Sequence, residues 1–432
     1  MRRSLAGAVL LASAATSGSR ADDSNFRPYI VGGRAAGMGG AFTALADDGS
    51  GPYYNPGGLA FVRRSQLSLS ASVYGLVGGS NADALGDGHD FNYRGLNVFP
   101  VSTSAVWKLS DSPGGEGTAL ALSVFVPDAV RIDDRDTINS NLNAFFISSE
   151  QQTVWAGATW SRRWGAFGIG ASGFLLFGTS VSQFELTAVA SSNQFATITS
   201  RADETVLGVV GALGVRWDPT DRLHLGLAAY SPEIGGGTRR QFLRVAVGDT
   251  PPAQPAAIAV INANDLNASP TLPLRLQGGI AFDAGGFLVS ADAIYLGGRE
   301  TLDDPNRAAE GLDRRIKRNP VWNGAVGVET WLSERVPMRF GFFTDFAATD
   351  SPLPSPSGTP NPNASNTAHV DRFGGTFSLG LRSEHTATNI GLNVSYGSGS
   401  DIVPDNLDFS DLKPSTAKQY LVYVFLSSAY EF

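Results

Sequence analysis

Residues 31–62 read VGGRAAGMGGAFTALADDGSGPYYNPGGLAFV. The stretch is too rich in glycine for a good helix and too broken for a strand. Gly32, Gly33, Gly37, Gly39 and Gly40 come first, then the acidic pair Asp47 and Asp48, then Asn55-Pro56-Gly57-Gly58. Glycine at this density lets backbone pass close to backbone. That suits a small plug packed inside something else. What encloses it must come from the rest of the chain, and from Gln66 to Phe432 the sequence reads as strand after strand.

After residue 62 the hydrophobic pattern has period two. In residues 206–217, Leu207, Val209, Leu213, Val215 and Trp217 share one face, while Gly208, Val210, Ala212, Gly214 and Arg216 share the other. Residues 223–230 and 287–295 alternate in the same way. A soluble sandwich would alternate too, so the spacing of the turns decides more. Tight connections are expected at 111–116, 162–164, 218–221, 284–285, 333–335 and 384–386. Between them lie long polar segments at 78–94, 128–150, 184–202, 232–271, 297–320, 349–372 and 398–418, which read as surface loops. Short and long connections therefore alternate, and fourteen antiparallel strands follow. An even number of strands with short turns on one side and long loops on the other describes a bacterial outer-membrane β-barrel. A sandwich has no reason to sort its loops by length.

Composition agrees with this fold class. Only 17% of the residues are charged, and cysteine is absent, which removes disulfides, thiolate metal sites and thiol nucleophiles. The formal charge is -8, so no nucleic-acid partner is expected. The amino terminus reads as a secretory signal over residues 1–21: Arg2 and Arg3, an apolar run at 5–15 (LAGAVLLASAA), then Ser19-Arg20-Ala21. That run is too short to span a membrane as a helix. The chain ends YLVYVFLSSAYEF (420–432), with Tyr420, Val422, Val424, Leu426, Tyr430 and Phe432 on one face. A terminal Phe432 closing such a strand resembles the signal read by the barrel-assembly machinery.

The glycine stretch carries a family resemblance. Residues 33–41 (GRAAGMGGA), Ala46-Asp47-Asp48 and residues 55–60 (NPGGLA) resemble the N-terminal plug of FadL-type outer-membrane transporters of long-chain fatty acids and hydrocarbons. Residues 271–296, 339–354 and 371–382 also fit that family's paired strands. Gly57 stands where the family usually has Ala, a change conservative in size. The resemblance implies a fourteen-stranded barrel in the outer membrane, plugged by its own N-terminal segment. Expected divisions are a signal peptide at 1–21, a plug at 22–62 and a barrel at 63–432. It also implies passive uptake of hydrophobic small molecules with lateral escape through the wall, contact with outer-membrane lipids, no cofactor and no enzymatic activity. The same plug pattern is similar to barrels that act as partner-binding shuttles in a bacterial secretion system.

Candidate site residues follow. The plug motif comprises Gly37, Met38, Gly39, Gly40, Asp47, Asp48, Asn55, Pro56 and Gly57. Asn55 can hydrogen-bond local backbone while Pro56 fixes a turn. Phe145, Phe146, Ile147, Phe184 and Leu186 offer an apolar surface at the loop mouth for a ligand. Arg216, Arg275, Arg339 and Arg382 fall on the expected lumen face. Arg216, Arg339 and Arg382 lie near short turns and are natural partners for Asp47 and Asp48, whereas Arg275 is placed to meet a substrate carboxylate. Residues 37–42 (GMGGAF) lack the third glycine and the βαβ setting of a dinucleotide loop. Asp133, Asp134 and Asp136 read as a solvated cluster, since a calcium ion needs six or more oxygens.

Overall fold

The last strand closes on the first: Gln66 pairs with Glu431, and the ladder runs on to Asn81 opposite Ala417. The computed structural model describes residues 25–26, 29–83, 88–97, 102–111, 116–138, 143–191, 194–235, 238–250, 254–310, 312–352, 368–404 and 412–432. The expected signal peptide lies outside the described residues.

Fourteen strands form the closed circuit, each antiparallel to the next. They are β1 (Gln66–Asn81), β2 (Ser102–Asp111), β3 (Glu116–Ile138), β4 (Asn143–Trp164), β5 (Phe167–Ser191), β6 (Gln194–Trp217) and β7 (Leu223–Tyr230). There follow β8 (Arg275–Asp283), β9 (Phe287–Leu296), β10 (Val321–Ser333), β11 (Val336–Asp345), β12 (His369–Arg382), β13 (Thr386–Pro404) and β14 (Leu412–Glu431). All six expected short turns fall between paired strands at one end of the barrel.

The other end differs from the loop reading. Residues 128–138 pair with 143–153, and residues 179–191 pair with 194–205, so much of two expected loops is ladder. Part of 398–418 is also ladder, Ser398 to Pro404 opposite Lys418 to Leu412. The segment 232–271 carries a hairpin, Arg239–Thr250 with Gln254–Leu266, and 297–320 carries Arg299–Asp303 with Arg314–Arg318. The physical reason is that a strand with water on both sides needs no apolar face. Polar cross-strand pairs hold these extensions instead. Ser148 donates to Asp133, and Gln151 Nε2 donates to Asp128 at 2.7 Å.

Parity is now assigned. On β6, Leu207, Val209, Leu213 and Trp217 point outward and are exposed, while Val210, Ala212 and Arg216 point inward and are buried. Leu213 and Leu175 are each 67% exposed, which water would penalise but lipid would not. Exposed Trp164, Phe167, Trp217, Phe287 and Trp331 sit beside short turns, as an aromatic girdle at a membrane rim does. Among the described residues no helix is long and apolar enough to cross a membrane.

Residues 29–62 pack against the inward faces of the wall. They form two short helices, α1 (Gly33–Gly37) and α2 (Gly51–Tyr54), and a 3-10 turn at Pro56–Phe61. Their glycines work by contact with the wall. Gly39 has φ 65° and runs against the β11 backbone, where a Cβ would stand 2.9 Å from the Phe342 nitrogen. Gly57 leaves no room either: a Cβ there would lie 2.7 Å from the Gly214 carbonyl oxygen of β6. Alanine at position 57 is therefore not the conservative exchange its size suggests.

Candidate functional site

The N-terminal segment is tied to opposite walls of the barrel. On one side Asp292 of β9, buried, accepts at Oδ2 from the amides of Phe42 and Thr43, both at 2.9 Å, and from the Thr43 hydroxyl at 2.7 Å. Asn55 is fully buried, and its one side-chain amide makes three contacts. Its Nδ2 donates to Thr43 O at 2.9 Å and to Val215 O of β6 at 2.8 Å, and its Oδ1 accepts from Gly57 N at 3.0 Å. On the far side the Thr376 hydroxyl of β12 donates to Gly37 O at 3.0 Å.

A chain of charges crosses the lumen beneath the segment. Arg34 pairs with Asp47 at 2.8 Å and with Glu329 of β10 at 2.9 Å. Glu329 also pairs with Arg339 of β11 at 2.5 Å, whose Nη1 donates to Asn389 at 2.6 Å. Arg216 stands 3.7 Å from Asp47 and donates to Leu45 O. The arginines read from the sequence are thus only partly assembled. Arg216 meets Asp47, but Arg339 meets Glu329, and Arg382 reaches Glu431 at 3.5 Å rather than the segment. Asp48 turns back on its own loop, accepting from Ser50 N at 2.8 Å and from the Ser50 hydroxyl at 2.6 Å. Burial holds its carboxyl above the usual carboxylate range. Arg34, Asp292 and Glu329 were missed because a charge partner on another strand leaves no local signature.

Two cavities lie on either side of the segment. One, of about 440 Å³, faces the short turns and is polar, touching Arg34, Asp47, Arg216, Glu329 and Arg339. The other, of about 140 Å³, faces the long hairpins. Tyr53 and Tyr54 of α2 border it, with Trp155, Tyr230 and Leu272 on the wall and Phe26 and Tyr29 from the start of the segment. The rings pack edge to face: Tyr53 lies 5.3 Å from Tyr54 and 5.6 Å from Trp155.

Arg275 borders this chamber, as its place at the start of β8 suggested. Its Cζ lies 3.6 Å from the Tyr230 ring centroid and 4.7 Å from that of Tyr53. Its Nη2 donates to Tyr53 O at 2.9 Å, the same carbonyl that takes the Tyr230 hydroxyl at 2.6 Å. Stacking on two ring faces stabilises a guanidinium that burial would otherwise disfavour. Arg275 and Tyr230 are ladder partners, so their meeting follows from register.

The aromatic residues expected at a loop mouth are elsewhere. Phe146 and Phe184 lie on the extended part of the β4–β5 hairpin, and Phe146 packs under the Arg135 guanidinium at 4.8 Å. Neither borders the chamber. The backbone of Phe145 pairs with Leu186 there, and the Phe145 and Leu186 side chains lie outside the described residues. Tyr53 and Tyr54, which do border the chamber, sit in the glycine stretch immediately before Asn55-Pro56 and were legible as its only large rings besides Phe42 and Phe61. Among the described residues no group of three or more His, Asp or Glu side chains is placed to hold a metal.

No protein-family model and no curated protein sequence matches the chain. Solved structures do. The Pseudomonas putida toluene transporter TodX aligns with TM-score 0.62 and 16% identity over 94% of this chain and 99% of its own. A Pseudomonas aeruginosa FadL homologue aligns with TM-score 0.62 and 15% identity over 94% of this chain and 100% of its own. The Ralstonia pickettii toluene transporter TbuX aligns with TM-score 0.55 and 12% identity over 94% and 100%. At such identities the likeness is one of fold. The chain has the fold of the FadL-type barrels, a closed circuit of fourteen strands around an N-terminal segment.

Proposed function

We propose that the protein sits in a bacterial outer membrane and admits hydrophobic small molecules, long-chain fatty acids or aromatic hydrocarbons, by passive diffusion. Residues 22–62 act as its plug. The observation that carries this reading is the ring-lined chamber of about 140 Å³ held against a lumen that the chain itself fills. An apolar solute gains roughly 0.8 kcal/mol per CH2 on leaving water, so it needs a dry apolar surface more than an aqueous pore. A general porin needs the reverse, an open charged constriction. The TodX and TbuX structures are toluene transporters of the same fold, which supports the reading.

Passage requires the segment to shift or the wall to part. The β3–β4 ladder skips between Phe125 and Asp128, and Pro127 in that bulge borders the chamber without an amide proton to give. This gap in the ladder offers the wall a place to part beside the chamber. Phe432 closes the barrel, its amide donating to Ser65 O at 2.9 Å, and serves as the signal for the assembly machinery.

The test expresses the full chain in cells lacking other hydrophobic-uptake barrels and follows radiolabelled toluene and oleate. Saturable uptake that depends on the protein supports the proposal. Uptake no faster than in control cells, with the barrel heat-modifiable on a detergent gel, refutes it.

A further inference from the structure

Two polar atoms on β8 open on the ring-lined chamber without a partner among the described residues. Arg275 gives Nη2 to Tyr53 O, and its Nε is buried, which leaves Nη1 as its open donor. Gln277 is 4% exposed and gives Nε2 to the Tyr54 carbonyl, so its Oε1 must face the other way, as an open acceptor. That contact also fixes the amide orientation, since a carbonyl can only take the NH2 end. Arg275 and Gln277 are two apart on one strand and share its inner face, with Cα atoms about 7 Å apart. A hydroxyl that accepts from one and donates to the other spans about 5 Å.

The rest of the chamber sets the body of the ligand. Tyr53, Tyr54, Trp155 and Tyr230 present ring faces and edges. Its volume of about 140 Å³ matches a single benzene ring rather than a long acyl chain. Asp128, Glu204 and Glu233 also border it; Glu204 is paired with Arg314, and Asp128 and Glu233 stand against Arg275 and Arg318, so the lining carries no net positive charge to favour an anion.

We infer that the chamber selects a neutral single-ring phenol, its hydroxyl accepting from Arg275 Nη1 and donating to Gln277 Oε1. This rests on the reading of the chamber as the ligand site of a hydrophobic-uptake barrel. A plain hydrocarbon would strip water from both groups and replace none of it. A carboxylate has no proton for Gln277 and would face the acidic side chains of Asp128 and Glu233.

The test uses three ligands of one outline, p-cresol, toluene and 4-methylbenzoate, by equilibrium dialysis against the full chain in detergent. The expected result is p-cresol bound about tenfold or more tighter than toluene, the least that one charge-assisted and one neutral hydrogen bond contribute, with 4-methylbenzoate weakest. In Gln277→Leu the preference for p-cresol falls severalfold, to what the Arg275 bond alone sustains, while toluene still binds. Toluene equal to p-cresol, or 4-methylbenzoate the tightest, overturns the inference while leaving hydrophobic uptake standing. None of the three bound, with no toluene uptake in cells, overturns both. If Gln277→Leu does not assemble, the three-ligand order in the wild-type protein decides alone.

Discussion

Asp292 of the barrel wall and Thr43 of the N-terminal segment are joined twice: one carboxylate oxygen takes both the amide and the hydroxyl of Thr43, at 2.9 and 2.7 Å. The Phe42 amide joins the same oxygen at 2.9 Å. One oxygen of a buried acid is thus satisfied by the segment it retains. Asp292→Ala removes charge-assisted bonds that contribute roughly 2–4 kcal/mol together. Its expected outcome is a lower temperature for the folded-to-unfolded gel shift and new leakage of small sugars. An unchanged shift temperature would show that the segment is held elsewhere.

Gly57→Ala tests the close approach to Gly214. The added methyl has no space against the β6 carbonyl, and overpacking of this kind costs about 1–3 kcal/mol. The same exchange at Gly165, which has nothing within 4 Å of its Cβ position, meets no such clash but carries the strain of φ 56°. Chemical denaturation in detergent should rank Gly57→Ala below wild type, and equality would contradict the packing.

The charge chain through Arg34, Glu329 and Arg339 predicts a non-additive pair. Glu329→Leu leaves the buried Arg339 without its carboxylate, facing the half-buried Arg34, and should cost roughly 3–5 kcal/mol. Glu329→Leu with Arg339→Met should recover part of that loss. A double variant as unstable as the sum of the singles would mean that the pair acts through something other than mutual neutralisation.

Asp401 gives a pH prediction. It lies at the hairpin end of β13, beyond the exposed Tyr396, and burial pushes its carboxyl up to about 6. The folded state then holds the proton more tightly than the unfolded chain. Its contribution favours folding below the ordinary carboxylate range and is lost as pH rises through about 6. The unfolding free energy should therefore fall between pH 4 and 7 by about 1–3 kcal/mol, and Asp401→Asn should flatten that part of the profile. A wild-type profile that rises over the same window would contradict the assignment.

The barrel was legible because lipid imposes a pattern. Apolar faces on β6, β7 and β9 had to alternate, and the tight turns between strands had to be short. The hairpin extensions at 128–153 and 179–205 were not legible, since strands in water at both faces carry no alternation and read as loop. The glycine stretch announced close packing, and Gly39 and Gly57 meet the wall as glycine must. Which side chains would meet it was beyond local reading. Arg216 found Asp47; alternation put Asp292 on the inner face of β9, but nothing local to Asp292 or Glu329 named the partner each would meet. Tyr230 and Arg275 were each visible on an inner face, and only the register of β7 against β8 made them a pair.

The central claim is that hydrophobic molecules pass a lumen closed to water. The most direct measurement follows toluene entry and sugar-driven swelling in the same proteoliposomes. The account predicts protein-dependent toluene entry without swelling in wild type, and swelling once Asp292→Ala and Arg34→Ala are combined. Swelling in wild type at the rate of an open porin, or toluene entry no faster than in protein-free liposomes, would contradict it.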